Sequence, residues 1–385
     1  MLKILKNRES IFVIILLIIN VILIIMPTSF NDKNNQSIRA KALVISVDNS
    51  QLEQRGIVKT GVQAVKVKIL NGPFKGSEFV SPNNLRGQLE LDKMFAVGDK
   101  AFVVIEHTGN KINFVNIIDH YRINIELVLF FIFIIMLILF AGWTGVKSVL
   151  SFIFTVLMIW KVLIPGFLKG WNPIVTALIV VTILIGVTTF LVAGLNKKAV
   201  VSFLGSISGV LLTCIFALIF GTAFKIHGAV VPFSESLLYS GYGNLNLTSI
   251  FISGIFIASS GAIMDVTMDI STAVYELVIT KPDITRKYAI KSGFSVAKAV
   301  VGTMTTTLLL AYSGGYTAML MVFMAQGTPV MNILNLTYVS AEILHTMVGS
   351  FGLVLVAPLT AILAGVIFTK PEYIKKISEE HKAAV

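Results

Sequence analysis

The apolar residues of this chain come in unbroken blocks, and that arrangement limits the fold more than any motif does. Ile11 to Met26, Ile125 to Ala141, Val149 to Ile164, Ile174 to Ala193, Ala199 to Phe224 and Met347 to Phe368 each approach or exceed the roughly 18 apolar residues that mark a membrane helix. Two further blocks, from Leu247 and from Ala299, carry more polar residues. Only 13% of the residues are charged, against about 25% in a soluble domain. The sequence therefore predicts an α-helical polytopic membrane protein with about eight transmembrane helices.

The charges orient those helices. The formal net charge is +11, and the lysines and arginines sit mainly in short loops and tails beside the apolar blocks. The positive-inside bias and anionic headgroups explain that placement better than nucleic acid does, since no groove-reading helix or stacking motif is present. Lys3, Lys6 and Arg8 precede the first block, and no small-residue cleavage site follows it, so it reads as an uncleaved anchor. Lys147, Lys197–Lys198, the stretch Lys281 to Lys298, and Lys370, Lys375 and Lys376 mark the inside. Lys161, near the end of the third span, is expected to snorkel to the surface. Both termini are then cytoplasmic. The lone cysteine, Cys214, lies in an apolar run and forms neither an intramolecular disulfide nor a CxxC site.

Between the first two blocks the pattern changes to alternation. Leu43–Val47, Val65–Ile69, Ala101–Ile105 and Ile112–Val115 read as half-buried strands. Asn71-Gly72 and Val97-Gly98-Asp99-Lys100 read as turns. The expected organisation is an anchor helix over 1–27 and a small extracytoplasmic β domain of about five strands, OB-like or barrel-like, over 28–122. A membrane core of about seven helices follows over 123–370, then a cytoplasmic tail over 371–385.

Several runs carry a family resemblance. They are Ser259-Ser260-Gly261-Ala262-Ile263-Met264-Asp265-Val266-Thr267-Met268-Asp269-Ile270, Gly327-Thr328-Pro329, and the stretch Gly349-Ser350-Phe351-Gly352 through Ala357-Pro358-Leu359-Thr360. Together with the order anchor, outside β domain and multi-span core, they make the chain resemble the YibE/F family of bacterial multi-pass membrane proteins. The resemblance implies a bacterial plasma-membrane location and a transport-like role. It supplies no substrate and no catalytic residue.

Ionisable and hydroxyl groups inside the apolar blocks are the candidate functional residues, because such groups are costly there unless they serve a cavity, a partner charge or an ion path. Asp265 and Asp269 are four apart and share a helix face, which Thr272 and Glu276 continue. They are either an ion path within the sixth span or interfacial residues at its inner end, paired with Lys298 or Arg286. Thr303 and Thr306, with Thr305 and Thr307, make the seventh span polar, either as a hydrophilic path or by bonding back to their own helix. Glu342 and His345 form one Glu-x-x-His pair with no second copy, so a di-metal centre is not expected and a hydrogen-bonded or pH-sensitive contact is. Gly261, Gly314, Gly315, Gly327 and Pro329 are candidate helix breaks, of the kind that line substrate sites in transporters. Residues 316–346 read equally as a re-entrant hairpin or an outside loop. Gly205-x-x-x-Gly209 predicts close helix packing.

No Walker A, Gly-x-Ser-x-Gly, HExxH or Rossmann fingerprint occurs. The sequence thus predicts no enzyme, no catalytic residues, no metal and no cofactor. The expected partners are the lipid bilayer and either a second membrane protein or further copies of the chain. The function these features favour is a secondary transporter or permease for a small solute or ion. The alternative is a membrane assembly or regulatory subunit whose outside β domain binds an envelope or protein partner.

Overall fold

The alternating segment forms five antiparallel strands in the computed structural model, which describes residues 8–27 and 37–370. Lys3, Lys6, Lys375, Lys376 and the tail 371–385 lie outside the described residues. The strands are β1 (Ser37–Arg55), β2 (Val58–Ile69), β3 (Glu78–Arg86), β4 (Lys100–Thr108) and β5 (Lys111–His120), in the order β3-β2-β1-β4-β5. Inward positions alternate along them, with Ala40, Ala42, Val44, Val65, Val67, Ile69, Ala101, Val103 and Ile105 forming the core. The two edges, β3 and β5, approach one another, so the sheet nearly closes into a barrel. β1 bends to do this, with register shifts at Val44/Ser46 and Asp48/Gln51. Opposite the second bulge sits Gly61 at φ 113°, where a Cβ would lie 2.2 Å from the Gln51 carbonyl oxygen. β3 was hidden in the sequence by Pro82. Proline is tolerated there because β3 is an edge strand.

A buried polar cluster pins the loop between β3 and β4. Gln63 is fully buried. Its Nε2 donates to Asn49 Oδ1 and to the Phe95 carbonyl, both at 2.9 Å, and its Oε1 accepts from Asn83 Nδ2 and the Phe95 N–H, both at 3.1 Å. Asp92 adds a second anchor by accepting from the backbone N–H groups of Arg86 and Gln88.

The second compact unit is helical and comprises residues 1–29 and 138–385; residues 30–137 form the first. Its helices are α1 (Arg8–Ile25), α2 (Ile123–Met158), α3 (Ile164–Leu168), α4 (Pro173–Val192), α5 (Lys197–Ala223), α6 (Ser234–Tyr239), α7 (Leu247–Thr280), α8 (Arg286–Ala325), α9 (Val330–Asn335) and α10 (Thr337–Phe368). Among the described residues six helices are long and apolar enough to cross a membrane, and α1 is a shorter apolar helix. The longest run, Ile123–Leu168, joins α2 to α3 through a π turn at Ile159–Leu163. It is broken at Gly142, whose φ 55° and ψ −128° are not helical. Counting the two sides of that break separately gives the expected number of about eight.

Two expectations change. Lys147 does not mark a loop: it is helical and buried, and its Nζ bonds Glu9 of α1 at 2.9 Å. An ion pair lets a lysine stay in a packed helix. Lys161 donates to the Met26 carbonyl at 2.9 Å, so with the Lys147–Glu9 pair the first and third spans run parallel, as the expected order of crossings requires. Residues 316–346 are neither a hairpin nor a loop. They are the end of α8, the short α9, and the start of α10.

α5, α7 and α10 form the centre. Gly205 and Gly209 do permit close packing: a Cβ at Gly209 would stand 2.8 Å from Ile263 and 2.9 Å from Val356, and one at Gly352 would meet Thr213 Oγ1 at 2.0 Å. Ser202 and Ser206 share hydrogen bonds with Thr267 Oγ1 at 2.9 and 2.7 Å, and Ser271 donates to the Lys198 carbonyl at 2.8 Å. Small residues and internal hydroxyl bonds replace the hydrophobic drive that is absent between helices in lipid.

Candidate functional site

α10 opens with Tyr338, Ala341, Glu342 and His345, spaced so that one face carries all four. That face borders a cavity of about 840 Å³. α8 contributes Gly315, Tyr316 and Met319, and α7 contributes Ile250, Phe251, Gly254 and Ile257. Residues 229–236 supply a third wall. That segment is held against α7 at Gly228, where a Cβ would lie 1.9 Å from the Leu247 backbone. It contains Phe233 at φ 63°, a left-handed conformation rare for a bulky residue.

Glu342 and His345 sit side by side, with His345 Nδ1 3.9 Å from Glu342 Oε2. The Tyr312 ring lies 4.4 Å from the imidazole at an interplanar angle of 33°. Tyr316 lines the same cavity beside Glu342. Glu342 Oε2, His345 Nε2 and the Tyr312 hydroxyl are buried, and no protein group hydrogen-bonds to them. Such atoms are usually satisfied, so three in one cluster mark a place where polarity serves something other than packing.

The structure thus brings Glu342 and His345 together and leaves the other candidates elsewhere. Asp265, Asp269 and Glu276 are exposed on the outward face of α7, and Thr272 is half-buried beside them. α7 continues to Thr280, well past the inner end expected at Asp265. The bonds of Thr267 to Ser202 and Ser206 set Asp265 level with the region of Ser206 on α5. That is about 14 Å along the axis from Lys197. Asp265 therefore lies within the layer of packed helices, whereas Asp269, two residues from Ser271, lies close to its Lys198 end.

Thr303 and Thr306 are exposed on α8. Thr303, Thr305 and Thr307 bond to carbonyls of their own helix, as one of the two readings of that segment expected. Gly261, Gly314 and Gly315 are not breaks, because they lie inside continuous α7 and α8. Intrahelical hydrogen bonds hold such glycines where no water can replace them. Gly327, at φ 66°, and Pro329 do end one helix and start another.

Sequence reasoning missed Tyr312 and Tyr316. Their signal was available: two tyrosines four apart inside an apolar block, flanking a pair of glycines. Among the described residues, no group of three or more His, Cys, Asp or Glu could hold a metal ion.

One family model, YibE/F-like protein, matches residues 129–370, and a second, YibE/F family N-terminal domain, matches residues 36–120. The unmatched stretch between them, 121–128, is the junction of β5 and α2. No curated protein and no solved structure matches. The β domain and the helical unit are thus both recognised, and the chain belongs to the YibE/F family.

Proposed function

We propose that the chain is a secondary transporter that moves a small cation or protonated solute through the plasma membrane. The carrying observation is the buried Glu342–His345 pair beside Tyr312 at a cavity of about 840 Å³. A carboxylate and an imidazole among membrane helices are costly and are kept where they serve a solute or a proton. A carboxylate beside an imidazole offers both a charge for a cation and sites for a proton, so the pair can trade one for the other. A Cβ at Gly349 would lie 3.4 Å from Ser259, which sets His345 some ten residues above Asp265 on α7. Asp265 then lies about 15 Å further along the axis, on the outward face of α7 and not in the cavity lining.

The orientation belongs to the same proposal. Lys147, Lys197, Lys198, Lys281, Arg286 and Lys287 gather at one end of the helical unit, and the cavity lies toward the other. The positive-inside bias makes the lysine-rich end cytoplasmic and the cavity outward-facing.

The test is uptake into proteoliposomes under an imposed pH gradient, with a panel of monovalent, divalent and organic cations. Glu342→Gln and Tyr316→Phe should each lower the driven flux at least tenfold while the protein stays monodisperse. Wild-type flux in both variants would sink the reading.

The assembly-subunit reading has its own support, the exposed carboxylates on α7, which a single chain leaves uncovered. It predicts that removal of the β domain abolishes function while Glu342→Gln does not.

A further inference from the structure

The outward face of α7 and α8 is unlike a lipid-facing surface. α7 exposes Gly261, Asp265 and Asp269 there, and α8 exposes Lys298 and Gly302. Asp265 lies within the layer of packed helices, and exposed carboxylates there are rare unless another charge or a polar surface meets them.

Packing fixes the relative depth of these residues. α7 and α8 are antiparallel neighbours. A Cβ at Gly293 of α8 would stand 3.0 Å from Val274 of α7, so those two are level. Five residues back along α7 and five forward along α8 bring Asp269 level with Lys298. Four more on each helix bring Asp265 level with Gly302. Ser259 and Leu308 agree with that count, since a Cβ at Gly349 of α10 would meet both, at 3.4 and 4.0 Å. Neither Asp269 nor Lys298 joins an ion pair among the described residues.

We propose that this face is the contact with a second copy of the chain, in which Asp269 of each copy pairs with Lys298 of the other. Copies inserted the same way into one membrane can close only around an axis along the membrane normal. An isologous contact about that axis brings residues of equal depth together. Asp269 and Lys298 are of equal depth and opposite charge, so the face is complementary to itself. Gly261 and Gly302 have open space where a Cβ would be, which lets two backbones approach. The site is incomplete in one chain, because the cation that neutralises Asp269 comes from the other copy. This inference stands apart from the transport proposal and holds whether or not the cavity moves a solute.

The experiment is a charge exchange between differently tagged full-length chains. Asp269→Lys alone and Lys298→Asp alone place like charges at both contacts and should lower dimer recovery in mild detergent at least tenfold. Co-expressed, the two variants satisfy both contacts of a mixed dimer, and each tag should recover the other chain at near the wild-type level. Pairing within one chain predicts no preference for mixed dimers, and that result overturns the proposal. Undiminished dimers of either single variant overturn it too.

A second measurement does not depend on the charge variants folding. In a Cys214→Ser background, Gly261→Cys should form a disulfide-linked dimer in native membranes. Leu211→Cys, at the same depth on the exposed face of α5, should not. Absence of the Gly261→Cys dimer, a cross-link to a different protein instead, or equal cross-linking at both positions would overturn the contact.

Discussion

The Gln63 network of the β domain and the Tyr312–Glu342–His345 cluster of the helical unit treat buried polar side chains in opposite ways. Gln63 makes four hydrogen bonds inside the barrel, to Asn49, Asn83 and both backbone polar groups of Phe95. Three of those bonds hold a loop or an edge strand in place, and the fourth holds Asn49 at the irregular stretch of β1. The Tyr312–Glu342–His345 cluster leaves three buried polar atoms without a protein partner. A satisfied network specifies a structure, whereas an unsatisfied one keeps hydrogen-bonding capacity in reserve. The contrast separates polar residues that fix the fold from those of the proposed site.

Substitutions test that separation. Gln63→Leu should have the largest effect. It strands Asn83 and the Phe95 backbone groups in the barrel interior, and the loss should reach about 3 kcal/mol or more. Hydrogen exchange on the full-length protein should show the change across residues 58–105 and leave α5, α7 and α10 untouched. Protection unchanged in the strands would mean the network is not structural.

His345→Phe should behave in the opposite sense. The phenyl ring keeps the stacking on Tyr312 and removes an unpaired buried nitrogen, so thermal stability in detergent should stay within about 1 kcal/mol of wild type or rise. Driven flux should fall nonetheless. A large destabilisation would place His345 with Gln63 among the structural polar residues.

The smallest effect is expected at Asp92. The backbone N–H of Arg86, with that of Gln88, holds its carboxyl below the usual carboxylate range. A lowered pKa contributes stability that is present above the ordinary value near 4 and is lost as pH falls through the lowered one. Asp92→Asn should therefore reduce β-domain protection at neutral pH, and the difference should shrink on acidification below about pH 4. A difference independent of pH would show that shape, not charge, anchors the loop.

Apolar blocks and alternation are local properties, so the chain's own order of residues determined the membrane class, the β segment and the boundary at Ala141–Gly142. Gly205 and Gly209 were legible as packing residues for the same reason. What adjacent letters could not decide is which way a side chain faces once helices have packed. Thr267, Asp265 and Asp269 are close in sequence, yet Thr267 is bonded to α5 and the two aspartates face outward. Asp265 read as the inner end of a span because apolar residues thin out there, while α7 runs on to Thr280. Glu342 and His345 were visible as a pair, but Tyr312 and Tyr316 came beside them only through the antiparallel packing of α8 on α10. Local order sets what each segment prefers, because hydropathy and periodicity act over one or two turns. Only tertiary packing sets which segments share a depth, because that depends on contacts between residues dozens of positions apart.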